Sequence, residues 1–323
     1  MPKGTHIPVN ERAKPVGTPA PAPVISGHDI GILCGLPFLA LTAWLTPEKA
    51  WRPLARAIAP YATGVIHRSQ KAIVDCVAAV VADRPLAMPP EAVARELVAA
   101  EIQKNFHNMR DLLPARWRPE IALVGEDHIK GALARGKGVI LWCGHFAFAN
   151  TVIKMAMHRA GYDLHHLSHP HHGFSETRFG MRVLNPIRAA SDVHYLSERV
   201  VLSLTGAVAA MRVLLKRLRK NRVVSISVRD FGLHPLEMPF MDGTIRIATG
   251  APDLAYATGA ALIPVFAVQE EGGRYTVTAE APIEMAAAPT RRDAAAAAIR
   301  AYTGRLEPYV LNYPGQWLGW TTL

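Results

Sequence analysis

Chemistry in this sequence gathers at the ends of short apolar runs. Val139-Ile-Leu-Trp-Cys143 is such a run; it ends in Gly144-His145, and a helical stretch from about Phe148 to Arg159 follows at once. A histidine that sits on a glycine after a buried strand, just ahead of a helix N-terminus, can exchange a proton near neutral pH, as a general base must. Position alone leaves a second reading open, a histidine packed in the core. Another run, Val223-Val-Ser-Ile-Ser-Val228, ends in Arg229-Asp230-Phe-Gly232, so a polar pair again follows a strand end. Asp230 reads either as a carboxylate that orients the histidine or an arginine, or as a turn residue that caps a loop. The cluster His165-His166-Leu-Ser-His169-Pro-His171-His172 has no adjacent cysteine or Glu-x-x-His partner, and Pro170 bends it. It is expected to form a polar loop at the mouth of a site, and no metal centre is assigned. No G-x-S-x-G elbow occurs, which argues against a serine hydrolase.

The elements that must position these residues alternate between strand and helix. The Gly136-Lys-Gly138 lead-in and the apolar 139–143 run give one buried strand, 223–228 a second, and Ala261-Leu-Ile-Pro-Val-Phe-Ala-Val268 a third. The third turns through Glu270-Glu-Gly-Gly273 into Tyr275-Thr-Val-Thr278, the pattern of a hairpin with a glycine-rich loop. Helices are expected over 91–109, 251–257 and, as one basic helix, 198–220, where Arg212, Lys216, Arg217, Arg219 and Lys220 oppose Met211, Leu214, Leu215 and Leu218. That basic face reads as an ordinary surface helix, or as a dock for an acidic carrier protein or anionic head groups. The fold class that follows is α/β, a mixed, mostly parallel central sheet flanked by helices. In such sheets ligands sit at the carboxyl ends of the strands, where His145 and Asp230 fall.

Three regions are expected. Residues 1–27, with six prolines and no apolar core, read as a disordered tail without a visible secretory signal. Residues 28–120 read as a helical anchor and packing region, and 121–323 as the catalytic α/β domain. The stretch from Ile30 to Leu45 carries no charge; it is shorter than the ~20 residues of a spanning helix and contains Pro37. Trp44 and Trp51 at its far end, followed by Arg52, Arg56 and Arg68, suggest an interfacial anchor, against the alternative of a core helix.

Composition narrows the partners. The 323 residues are 50% hydrophobic and 19% charged, which excludes a disordered chain, and 36 Lys+Arg against 26 Asp+Glu leave a net charge of +10. The cations are mostly arginine, 26 to 10, and arginine grips phosphate or carboxylate with two parallel hydrogen bonds. An acidic partner is therefore expected. Nucleic acid is not, because no reader motif appears and only 7% of residues are aromatic. Cys34, Cys76 and Cys143 are odd in number and widely spaced, as in a reducing compartment.

The block Gly136-Lys-Gly-Val-Ile-Leu-Trp-Cys-Gly-His-Phe-Ala-Phe-Ala-Asn150 resembles the His-x4-Asp/Glu segment of the lipid A biosynthesis (lauroyl/myristoyl-type) acyltransferases, within the lysophospholipid acyltransferase superfamily. The block Pro239-Phe-Met-Asp-Gly-Thr-Ile-Arg-Ile-Ala-Thr-Gly250-Ala-Pro-Asp-Leu-Ala-Tyr-Ala-Thr-Gly-Ala-Ala-Leu-Ile-Pro-Val-Phe266, together with Glu271-Gly-Gly-Arg-Tyr-Thr-Val277, Ala281-Pro-Ile-Glu284 and Tyr313-Pro-Gly-Gln-Trp317, is similar to further blocks of that family, in order and with plausible spacing. The resemblance implies a glycerol-phosphate-acyltransferase-like fold, with His145 as general base for acyl transfer to a hydroxyl or amine of a lipid or glycolipid. The donor would be a thioester on acyl carrier protein or coenzyme A, with no metal or redox cofactor. Asn150 stands where the family has a carboxylate, so either Asn150 orients the ring, or Asp230 does, or the chain has become a lipid-binding or scaffold protein. Arg229-Asp230-Phe-Gly232 resembles the family's P-D-x-x-G with arginine in place of proline. Arg182 and Arg188 fall where the family carries an arginine for an acidic head group; with Arg229 and Gly250 they are the expected substrate-binding residues. The place implied is the cytoplasmic face of the inner membrane.

Overall fold

A computed structural model describes residues 23–61, 63–81, 84–113, 116–168, 175, 177–202, 207–229, 235–285 and 288–323. Four helices come first: α1 (Gly27–Leu45), α2 (Trp51–Ile58), α3 (Thr63–Val81) and α4 (Pro90–Asp111). The alternating part follows as β1 (Ile121–Val124), α5 (Glu126–Ala134), β2 (Val139–Cys143), α6 (Ala149–Arg159), β3 (Leu164–Ser168), α7 (Asn185–Val193), β4 (Glu198–Val201), α8 (Ala207–Leu218) and β5 (Val223–Ser227). It ends with β6 (Pro235–Phe240), β7 (Gly243–Ala248), α9 (Gly250–Thr258), β8 (Ala261–Gln269), β9 (Tyr275–Ala279) and α10 (Arg291–Asn312). Seven strands form one sheet in the order β1-β9-β8-β2-β5-β3-β4, all pairs parallel except β8 with β9. The mixed α/β sheet read from the sequence is the one observed.

The central position of β2 follows from its composition. All five of its residues are buried, as a strand needs to be when both faces are covered. It pairs with β5 through Val139–Val223 to Cys143–Ser227 and with β8 through Val139–Ala261 to Cys143–Val265. Gly138 makes the entry possible: its φ is +76°, and a Cβ there would lie 2.8 Å from the Leu218 carbonyl oxygen.

Two expectations change, and one element is new. The basic helix does not begin at Glu198; residues 198–201 form the edge strand β4 against β3, and α8 starts at Ala207. The β-branched pair Val200-Val201 favours the strand. The expected histidine loop begins as strand instead, with His165 and His166 buried in β3. Residues 235–248 form a separate antiparallel hairpin, β6–β7, turning through Met241-Asp242.

The front helices pack on the sheet through one another. Arg110 of α4 donates to the carbonyls of Ala43 and Thr46 at 2.7 Å each, satisfying the open C-terminal end of α1. Trp51 is fully buried, with Arg110 5.2 Å over its ring and Phe106 and His107 beside it, so it belongs to the core and not to a membrane interface. Arg56 pairs with Glu96 at 2.6 Å, and Arg52 donates to the Glu270 carbonyl, so both cations serve packing. The Arg68 side chain and residues 1–22 of the expected tail lie outside the described residues. Trp44 is half exposed, and its indole donates to the Met109 carbonyl. Among the described residues no helix is long and apolar enough to cross a membrane.

Candidate active site

His145 stands in the turn between β2 and α6, and two other segments, β8 and the C-terminal stretch, fix its backbone. Gly144 donates its amide to Val265 of β8 at 2.8 Å, while a Cβ on Gly144 would come within 2.7 Å of Phe266. The C-terminal segment reaches back as well. Leu318 donates its amide to the His145 carbonyl at 2.8 Å, and Ala147 donates to the Gln316 carbonyl at 2.7 Å. Gln316 in turn clamps β8: its side chain accepts from the Gln269 amide and donates to the Gln269 carbonyl, both at 2.8 Å. The Tyr313-Pro-Gly-Gln-Trp317 motif is thus a brace for the histidine turn. The sequence offered that motif as part of the resemblance, but its role needed the fold.

The imidazole is in contact with Arg229. Val228 donates its amide to the Cys143 carbonyl and Ala248 donates to the Arg229 carbonyl, which holds Arg229 at the end of β5 between β2 and β7. From there Arg229 Nη1 donates to His145 Nε2 at 2.7 Å. A guanidinium can only donate, so Nε2 accepts and the ring proton is on Nδ1. Burial, with the added charges of Arg229 and Lys104, lowers the His145 pKa from 6.5 to about 3. The ring is therefore neutral in the physiological range, and its free base nitrogen faces the arginine.

Two cavities meet at this point. The larger, about 810 Å³, is mainly apolar: Trp142, Leu167, Met211, Leu215, Ile226 and Leu254 line it, together with Asn150, Gly250 and Arg229. The smaller, about 160 Å³, holds His145 with Arg246, Tyr302, Trp317 and again Arg229. Arg229 is shared by both linings. Neither Arg182, exposed on the π-helical turn Gly180–Leu184, nor the α7 residue Arg188 appears among the described lining residues, and the Arg188 side chain lies outside the description. Asp230 also lies outside the described residues. The structure therefore places Asn150, Arg229 and Gly250 on the larger cavity and His145 on the smaller one, with Arg229 as the link between them.

The neighbouring thiol and imidazoles have other surroundings. Cys143 is buried beside the site, and burial pushes its thiol up to about 12, which leaves it protonated. His165 Nδ1 lies 2.9 Å from Glu198, and His166 Nδ1 lies 2.9 Å from the Ser225 hydroxyl, so both imidazoles serve strand pairing. His169, His171 and His172 lie outside the described residues; among those described, no group of three or more His, Cys, Asp or Glu could hold a metal ion. The apolar lining was missed in the sequence because the six side chains named come from five elements, β2, β3, α8, β5 and α9, and look like ordinary core positions.

Comparison with known proteins agrees with this layout. Over 191 residues the chain is 28% identical to the phosphatidylinositol mannoside acyltransferase of Mycobacterium tuberculosis, in strains CDC 1551 / Oshkosh and H37Rv, a match that covers 56% of this chain and 57% of the relative in each case. The chain thus matches a little over half the length of these curated relatives. The family model for bacterial lipid A biosynthesis acyltransferases matches residues 30–320, which takes in the helical front, the sheet and the C-terminal brace, and the chain belongs to that family.

Proposed function

We propose that the protein transfers a fatty acyl chain from a thioester, carried on acyl carrier protein or coenzyme A, to a hydroxyl or amine of a lipid or glycolipid. The observation that carries this reading is the 810 Å³ apolar cavity whose Arg229 wall touches the neutral His145. An alkyl chain laid in that cavity leaves water at a gain of ~25 cal/mol per Å² of apolar surface, enough to hold a donor with few polar contacts. His145 Nε2 takes the proton of the acceptor as its oxygen or nitrogen attacks the thioester carbonyl, and the ring later returns that proton to the departing thiolate. The scheme uses no metal or redox cofactor. The mycobacterial relatives act on a mannosylated phospholipid by name, which favours a glycolipid acceptor here.

Work at a membrane surface is part of the same reading. Along α1, Ile30, Leu33, Phe38, Leu41 and Leu45 are exposed, and the amides of Arg178 and Phe179, donating to Pro23 and Val24, bring exposed Met181 and Val183 beside the helix start. An apolar face of this kind, on a chain of net charge +10, suits peripheral attachment to the anionic cytoplasmic face of the inner membrane. Lipid mass spectrometry of cells with and without the protein tests the function. A lipid species heavier by one acyl group should vanish with the gene, and an unchanged lipid profile would refute the assignment.

A further inference from the structure

We propose that Arg229 is a catalytic residue: the guanidinium that caps His145 in the resting protein binds the thioester carbonyl oxygen and carries its negative charge in the tetrahedral intermediate. This rests on the acyl-transfer reading above and adds to it the group that serves the oxyanion.

The argument is one of position. The carbonyl carbon must lie where the acyl chain leaves the large cavity and within reach of a nucleophile activated by His145. Arg229 lines the large cavity, lines the small hollow that holds His145, and stands 2.7 Å from Nε2. A cationic donor at that part-buried junction stands where charge develops in the tetrahedral intermediate, and a donor preorganised there needs no reorganisation as the charge forms. The backbone at the end of β5 keeps it there through the Val228 and Ala248 amide bonds.

The charges balance through the reaction. The acceptor X–H gives its proton to Nε2 while X forms a bond to the carbonyl carbon; the C=O π pair moves to oxygen, and Arg229 turns from Nε2 to that oxyanion. The collapse re-forms C=O and breaks C–S, and the thiolate takes the proton from the imidazolium. Proton uptake at Nε2 and departure of the guanidinium from it are thus one event. The charged groups acting on the ring, Arg229 and Lys104, both oppose its protonation, and the oxyanion cancels the nearer of them as it forms.

The test uses the full chain with an acyl thioester donor and the acceptor lipid found by mass spectrometry. Arg229→Ala and Arg229→Lys should each lower kcat ~10²-fold, the loss typical of removing one oxyanion donor, with donor KM within about threefold. Millimolar guanidinium chloride should restore at least tenfold of the Arg229→Ala loss, while potassium chloride of equal ionic strength should not. The acid limb of kcat/KM should also move upward in Arg229→Ala: burial still holds the ring below its ordinary range, but one of the two cations that oppose its protonation is gone. If Arg229→Ala does not fold, Arg229→Lys decides the matter. A kcat within threefold of wild type in Arg229→Lys, or a loss in Arg229→Ala without guanidinium rescue and with an unmoved acid limb, would overturn the proposal. If the acyl-transfer reading itself were wrong, the wild-type protein would show no transfer at all, so the two failures are distinguishable.

Discussion

At the scale of single residues, the proposed site centres on a neutral histidine, with Asn150 where the motif it resembles has a carboxylate. Replacing the orienting Asp by Asn in a serine protease costs ~10⁴ in rate because the ring takes the wrong tautomer. In this protein the tautomer has another determinant: Arg229 can only donate to Nε2, which leaves the proton on Nδ1 whatever residue 150 is. Asn150→Asp should therefore change acyl transfer by less than about tenfold in either direction. A gain of ~10³ or more from a silent background would instead mark a decayed enzyme that keeps the fold for lipid binding. His145 was legible in the sequence because a glycine and a histidine ending an apolar run signal a strand end. The Arg229 contact was not, since 84 residues separate the pair and only the β2–β5 register brings them together.

At the scale of elements, the histidine turn is held by the chain's last ordered segment more than by its own sequence. Gln316 makes reciprocal hydrogen bonds to the backbone of β8 while its carbonyl takes the Ala147 amide, so β8, the turn and the C-terminus form one unit. Gln316→Ala should destabilise the protein by ~1–3 kcal/mol, the cost of leaving backbone groups without partners. It should also reduce kcat more than donor KM, because the turn moves but the apolar cavity does not. A lowered melting temperature with unchanged kcat would show that the brace stabilises the fold without positioning the base. Strands β2, β5 and β8 were readable as apolar runs, whereas β4 was hidden by the basic segment after it and β6–β7, which carries two prolines, had no strand reading. Pro235 starts a two-stranded hairpin with one buried face and Pro239 pairs with Thr244 in it, positions that proline tolerates because no further strand needs its missing N–H.

At the scale of the whole molecule, the surplus of arginine and the apolar front helix point the same way. The expectation of an acidic partner came from the sequence; the apolar stretch over 30–45 was read there too, but which of its residues face outward was not. Phe38 and Leu45 are 74% and 75% exposed, while Ala43 in the same helix is fully buried. Phe38→Asp combined with Leu45→Asp should weaken co-sedimentation with anionic vesicles at least tenfold without lowering the melting temperature. Unchanged sedimentation would remove α1 from the membrane-facing surface. The activity itself is tested most directly at His145. His145→Ala keeps the backbone carbonyl that accepts from Leu318, so the turn should stay in place. With a thioester donor and membrane lipid as acceptor, its rate of acyl transfer should fall ~10²–10⁴-fold while the protein stays folded. A folded His145→Ala protein that transfers acyl chains at the wild-type rate would contradict the assignment of His145 as the base.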